Sequence, residues 1–95
     1  MRFYTREQIL ELVGIDTVFF VALEREEIVS GDAPEEGGYS ERMLERARVA
    51  HELVHELDVN VEGAAIIVRM REELAALQRD LAGLARELQR LRSSG

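Results

Sequence analysis

Apolar residues recur along this chain in four blocks with helical spacing, each opened by a polar residue suited to capping. Thr5 can cap a first helix, with Gln8 three residues on completing a capping box and Tyr4 stapled onto Ile9. That helix should run to Leu12 or Val13 and stop at Gly14. A second can begin at Asp16 or Thr17, with Ile15 and Phe20 in staple spacing, and continue to about Glu27. Helix, tight turn, helix is helix-turn-helix spacing, which many helical hairpins share. Residues 29–39 hold the only Pro and Gly31, Gly37 and Gly38, and read as a loop or small β-wing. Ser40 should cap a third helix, with Tyr39 stapled to Leu44, reaching about Leu57. It would present Leu44, Ala47, Ala50, Val54 and Leu57 to a core. Asn60 should cap the last helix, which carries on to about Arg92.

That last helix has the most regular pattern. Ile67, Met70, Leu74, Leu77, Leu81, Leu84, Leu88 and Leu91 alternate spacings of three and four without a break, a coiled-coil a/d seam. At about 1.5 Å per residue the seam is about 36 Å long. A small head cannot cover that length, and each leucine left in water forfeits about 1.5–3 kcal/mol. Self-association into a homodimer or higher homo-oligomer is therefore expected, in preference to a helix folded back on its own head. With Ile67 at a, Glu87 at g faces Arg92 at e in a parallel pair, whereas an antiparallel pair sets acid against acid. Charge leans parallel, although exposed pairs contribute only tenths of a kcal/mol. Ala75, Ala76, Ala82 and Gly83 form a small-residue strip at b and c that leaves larger bundles open. Residues 1–58 thus read as a head and 59–95 as a dimerising helix.

Ninety-five residues bound this to one small domain. There is no cysteine, no signal-peptide pattern at the N-terminus and no apolar run able to span a bilayer, so a soluble cytoplasmic protein is expected. The net charge of −7 is uneven. Residues 1–58 set six arginines against fourteen acids, and residues 59–95 set six against five. Every basic residue is Arg. An acidic head is ill suited to DNA, whose binding requires cations to displace counterions.

Residues 51–55 read His-Glu-Leu-Val-His, matching the zincin pattern H-E-x-x-H, in which two imidazoles one turn apart share a zinc ion. The downstream third-ligand pattern is missing, and only Glu72 and Glu73 offer themselves as substitutes. Two histidines at this spacing on an acidic helix are usually a solvated flank. No phosphate-binding glycine loop and no nucleophile–base pairing occur either. The expectation is a non-enzymatic chain with no cofactor and no metal.

Tyr4-Thr5, Gly14-Ile15-Asp16 and Gly38-Tyr39-Ser40 fall as in MerR-type helix-turn-helix heads, which the first seventy residues resemble. The second helix departs from that pattern. Where such regulators carry Arg and Tyr for phosphates and bases, this chain has Val18, Val21 and Ala22, followed by Glu24, Glu26 and Glu27. Across residues 3–30, Arg6 and Arg25 face six acids. The segment His55-Glu56-Leu57-Asp58-Val59-Asn60-Val61-Glu62-Gly63, leading into a Leu-rich helix, is similar to the CbpM family of chaperone modulators.

The resemblance implies a mainly α fold: a MerR-like (winged) helix-turn-helix head followed by a long C-terminal coiled-coil helix. It also implies a partner, the J-domain of a CbpA/DnaJ-type co-chaperone, kept from its Hsp70. Charge and exposure put the docking surface on the second helix, with Val18, Val21 and Ala22 at the centre and Glu24, Glu26 and Glu27 at the rim. No family motif fixes that position, and the same acids could simply solvate a helix whose Phe19, Phe20 and Leu23 are core. The competing function is a dimeric MerR-type transcriptional regulator, with Arg42, Arg46, Arg48 and the wing touching phosphates.

Overall fold

The computed structural model describes residues 2–94. Among them, α1 (Arg6–Val13), α2 (Thr17–Arg25), α3 (Glu41–Glu56) and α4 (Val61–Ser94) supply nearly all of the regular structure. Two short strands, β1 (Phe3–Tyr4) and β2 (Tyr39–Ser40), pair antiparallel with Phe3 opposite Ser40 and Tyr4 opposite Tyr39. This small sheet and a 3-10 turn at Pro34–Glu36 form the wing between α2 and α3. The fold is mainly helical, with a winged helix-turn-helix head and a long C-terminal helix.

Most helix starts follow their local signals. Thr5 and Gln8 form the reciprocal capping box: Gln8 N–H donates to Thr5 Oγ1 at 3.2 Å and Thr5 N–H to Gln8 Oε1 at 2.8 Å. Asp16 accepts from Phe19 N–H at 2.8 Å, and Asn60 accepts from Gly63 N–H at 2.7 Å. Gly14 closes α1 in the left-handed region at φ 80°.

Three expectations need correction. Ser40 precedes α3 but does not cap it with its side chain; its N–H and its hydroxyl both donate to Asp32, at 2.9 and 2.6 Å. Helix α2 ends at Arg25 rather than Glu27. There Ile28 N–H returns to Leu23 O and Glu27 N–H to Glu24 O, a Schellman turn with Glu27 itself left-handed at φ 59°. No glycine marks that stop, so the local sequence carries no signal for it. Leu57 is 64% exposed at the end of α3 rather than core, because the chain turns towards α4 through Asp58 at φ 55°.

The head's core joins Ile9 of α1, Phe20 and Leu23 of α2, Ile28 and Val29 beyond it, and Met43, Leu44, Ala47 and Ala50 of α3. Val54 packs at its margin, half-buried. Ala64, Ala65 and Val68 of α4 are buried as well, so the core draws on the stalk helix beyond the expected boundary at residues 58/59. With Ile67 at a, these residues fall at e, f and b, away from the a/d seam. Head and seam therefore use different sides of α4. From Leu74 onward the seam leucines remain 57–66% exposed, so the helix is not folded back on its head. Its 34 residues span about 51 Å and account for most of the 59 Å long dimension.

A charged clamp joins α3 of the head to the stalk. Arg46 donates to Glu72 at 2.6 and 3.0 Å, and Arg42 adds a bond of 2.9 Å. The Arg46 bond, reinforced by Arg42 and opposed by partial burial, pulls the Glu72 carboxyl down to about 2. A depressed acid contributes stability that is present above its unfolded value and lost as pH falls through the folded one. After discounting for the one-third exposure of Glu72, the clamp contributes about 1–2 kcal/mol. Glu72→Gln should therefore lose about that much at neutral pH, with the gap to wild type closing between pH 4.5 and 2. Denaturant titrations followed by circular dichroism across that range check it.

Candidate protein-interaction surfaces

Helix α2 divides cleanly by face. Phe20 and Leu23 point into the core, and Phe20 carries the guanidinium of Arg6 over its ring at 4.9 Å. On the opposite side Val18 is 80% exposed, and Thr17, Val18, Val21, Ala22 and Arg25 line one shallow depression. These five share a face because positions three and four apart lie on the same side of a helix. Thr17 and Arg25 join the three apolar residues expected there from the sequence. The same spacing, carried two turns from Val18, reaches Arg25.

The acids do not form a continuous rim. Glu24 lies on the inner flank of α2, where Arg6 donates to it at 2.8 Å and the Tyr39 hydroxyl at 3.4 Å. Burial, then the Glu24 charge, raises the Tyr39 phenol above its ordinary value. Glu24 is thus held in a structural contact. Glu26 and Glu27 lie in the turn beyond α2 and share a small crevice with Ile28, Arg46 and Arg69. The acidity beyond the patch comes instead from the wing, where Glu35 and Glu36 are exposed in the 3-10 turn. Partial burial works against the charge on Asp32, but the two Ser40 bonds outweigh it and hold that carboxyl below the usual range.

Of the arginines expected to touch phosphates, Arg48 is exposed with no salt bridge among the described residues, whereas the other two are paired. Arg42 and Arg46 are both committed to Glu72, and Arg46 also donates to the carbonyl of Ile28 at 3.2 Å. Arg6 is paired with Glu24. The exposed face of α2 offers Arg25 alone among two valines, an alanine and a threonine. A DNA-reading helix needs a stripe of donors for base edges and cations for phosphates.

The His-Glu-Leu-Val-His segment lies on α3. His51 and His55 stand 4.4 Å apart, ring to ring, and Phe19 meets both edge-on. Glu72, one of the two paper ligands, belongs to the arginine clamp, and Glu73 is exposed on α4. Among the described residues no group of three or more His, Asp or Glu is gathered around a metal-sized space. Nor is any helix among them long and apolar enough to cross a membrane.

A family model described as MerR HTH family regulatory protein matches residues 4–86, from β1 through most of the stalk. The chain belongs to that family. No curated protein and no solved structure matches it.

The geometry separates two residues that the sequence grouped together. Val18→Arg should change stability by no more than about 0.5 kcal/mol, since it replaces an exposed side chain. Glu24→Arg sets a second guanidinium beside Arg6 and should cost about 1–2 kcal/mol. Chemical denaturation of both variants distinguishes a surface position from a structural one.

Proposed function

We propose that this member of the MerR helix-turn-helix family is a non-enzymatic chaperone modulator. In this reading it docks on the J-domain of a CbpA/DnaJ-type co-chaperone and keeps that domain from its Hsp70 in the cytoplasm. The observation that carries the reading is the exposed face of α2. In a family named for regulatory helix-turn-helix proteins, the second helix here presents Val18, Val21 and Ala22 outward, in a head that also carries an acidic wing. Such a surface suits a partner with apolar anchors set among basic side chains, steered by charge and held by desolvation of the centre. The similarity of residues 55–63 to the CbpM family supplies the identity of the partner.

The stalk fits the same reading. Its a/d leucines are exposed on the side that the head leaves free, and a second copy would cover them. A dimer would carry two heads, each with its own α2 face outward.

Capture of a J-domain by Val18→Arg/Val21→Arg should weaken by about tenfold or more relative to wild type, because two like charges enter the centre of the patch. Unchanged capture would remove α2 from the interface. Random duplex DNA at low salt should give no saturable binding at micromolar protein. Tight binding with a steep salt dependence would favour the transcriptional-regulator reading instead. Leu81→Asp should convert the protein to a monomer by light scattering, with the head's helicity retained; a variant still dimeric would refute pairing through the seam.

A further inference from the structure

The one chemically distinctive cluster that the partner reading leaves unused is the pair of histidines on α3. We propose that His51 and His55 form an open, two-imidazole site for a divalent transition ion of the zinc–nickel–copper class. Their spacing of four sets both side chains on one face of the helix, and the rings lie 4.4 Å apart at a tilt of 45°. His55 Nδ1 lies 3.1 Å from the carbonyl oxygen of His51. A carbonyl can only accept, so in the neutral imidazole this contact favours the tautomer with the proton on Nδ1, which leaves the Nε2 lone pair for a ligand. An imidazole whose other nitrogen donates to a backbone carbonyl is the usual orientation of a metal-ligating histidine.

Phe19 restrains both rings from the neighbouring helix, with its centroid 6.1 Å from that of His51 and 5.1 Å from that of His55. The contact with Phe19 limits the freedom of both rings, so less side-chain freedom is lost on binding. Glu52 and Glu56 lie on the same turns of α3 and give the segment a negative local charge. Imidazole nitrogens select zinc, nickel and copper over magnesium and calcium, which prefer oxygen. With two protein ligands, the remaining coordination positions belong to solvent. The site is thus a binding site and not a hydrolase centre, since a catalytic zinc is held by three protein ligands. It rests on α3 and Phe19 and is independent of any J-domain.

Calorimetric titration of tag-free protein with Zn²⁺, Ni²⁺ and Mg²⁺ tests the proposal, alongside His51→Gln and His55→Gln. Both histidines lie at least partly exposed, and circular dichroism verifies that the variants stay folded. The expected result is one saturable Zn²⁺ or Ni²⁺ site per chain at micromolar metal, weakened about tenfold or more by either substitution, with no saturable Mg²⁺ binding. Three results would overturn it: no saturation at millimolar metal, binding unchanged in both variants, or Mg²⁺ binding as well as Zn²⁺.

Discussion

Glu72 takes hydrogen bonds from Arg42 and Arg46 of α3, while Arg46 uses a further N–H on the carbonyl of Ile28, just past α2. One side chain of the stalk thereby binds α3, and through Arg46 it reaches the turn that ends α2. That turn holds Glu27 at positive φ without a glycine, a conformation that needs support from its surroundings. Arg46 of the clamp borders one crevice with Ala65 and Val68, which with Ala64 extend the head's small core onto the stalk. Head and stalk are consequently one folding unit over the first turns of α4. The clamp and the buried Ala64, Ala65 and Val68 together join the stalk to the head.

The rest of the molecule follows from which sides are spent on that unit. The head occupies the b, e and f positions at the start of α4 and leaves the a/d seam in water. Phe20 and Leu23 anchor α2 from beneath, which leaves Val18, Val21 and Ala22 outward. Arg6, Arg42 and Arg46, half of the head's arginines, are drawn into internal ion pairs. The same contacts that hold the fold together thus engage part of the head's positive charge, while Arg25 and Arg48 stay exposed without a salt bridge among the described residues. What remains outside is an apolar helix face, an acidic wing and a leucine stripe, all features suited to protein partners.

The proposed J-domain surface and the histidine pair occupy different ground. The apolar patch is read from α2 alone, with Arg25 in its midst, and its partner comes from the likeness of residues 55–63 to a family. The histidine pair is read from α3 and Phe19 and needs no partner protein. Phe19 links the two regions, since it follows Val18 in the chain but turns towards α3 instead of outward.

Signals acting within about four residues were legible from the sequence alone. The caps at Thr5, Asp16 and Asn60, the stop at Gly14 and the unbroken seam from Ile67 to Leu91 all follow from neighbours one turn away. The outward set of Val18, Val21 and Ala22 was legible for the same reason, because helical spacing alone assigns a face. Tertiary structure decided the rest. Glu24 could not be distinguished from Glu26 or Glu27 until Arg6, 18 residues away, was brought against it. Ser40 ceased to be a cap because Asp32, folded back through the wing, took its hydroxyl. Arg46 lost its availability to Glu72, 26 residues on. Leu57 had core spacing yet no core beside it, because the chain turned at Asp58. In each case the deciding partner lies far along the chain, where periodicity and capping rules carry no information about charge pairing or burial.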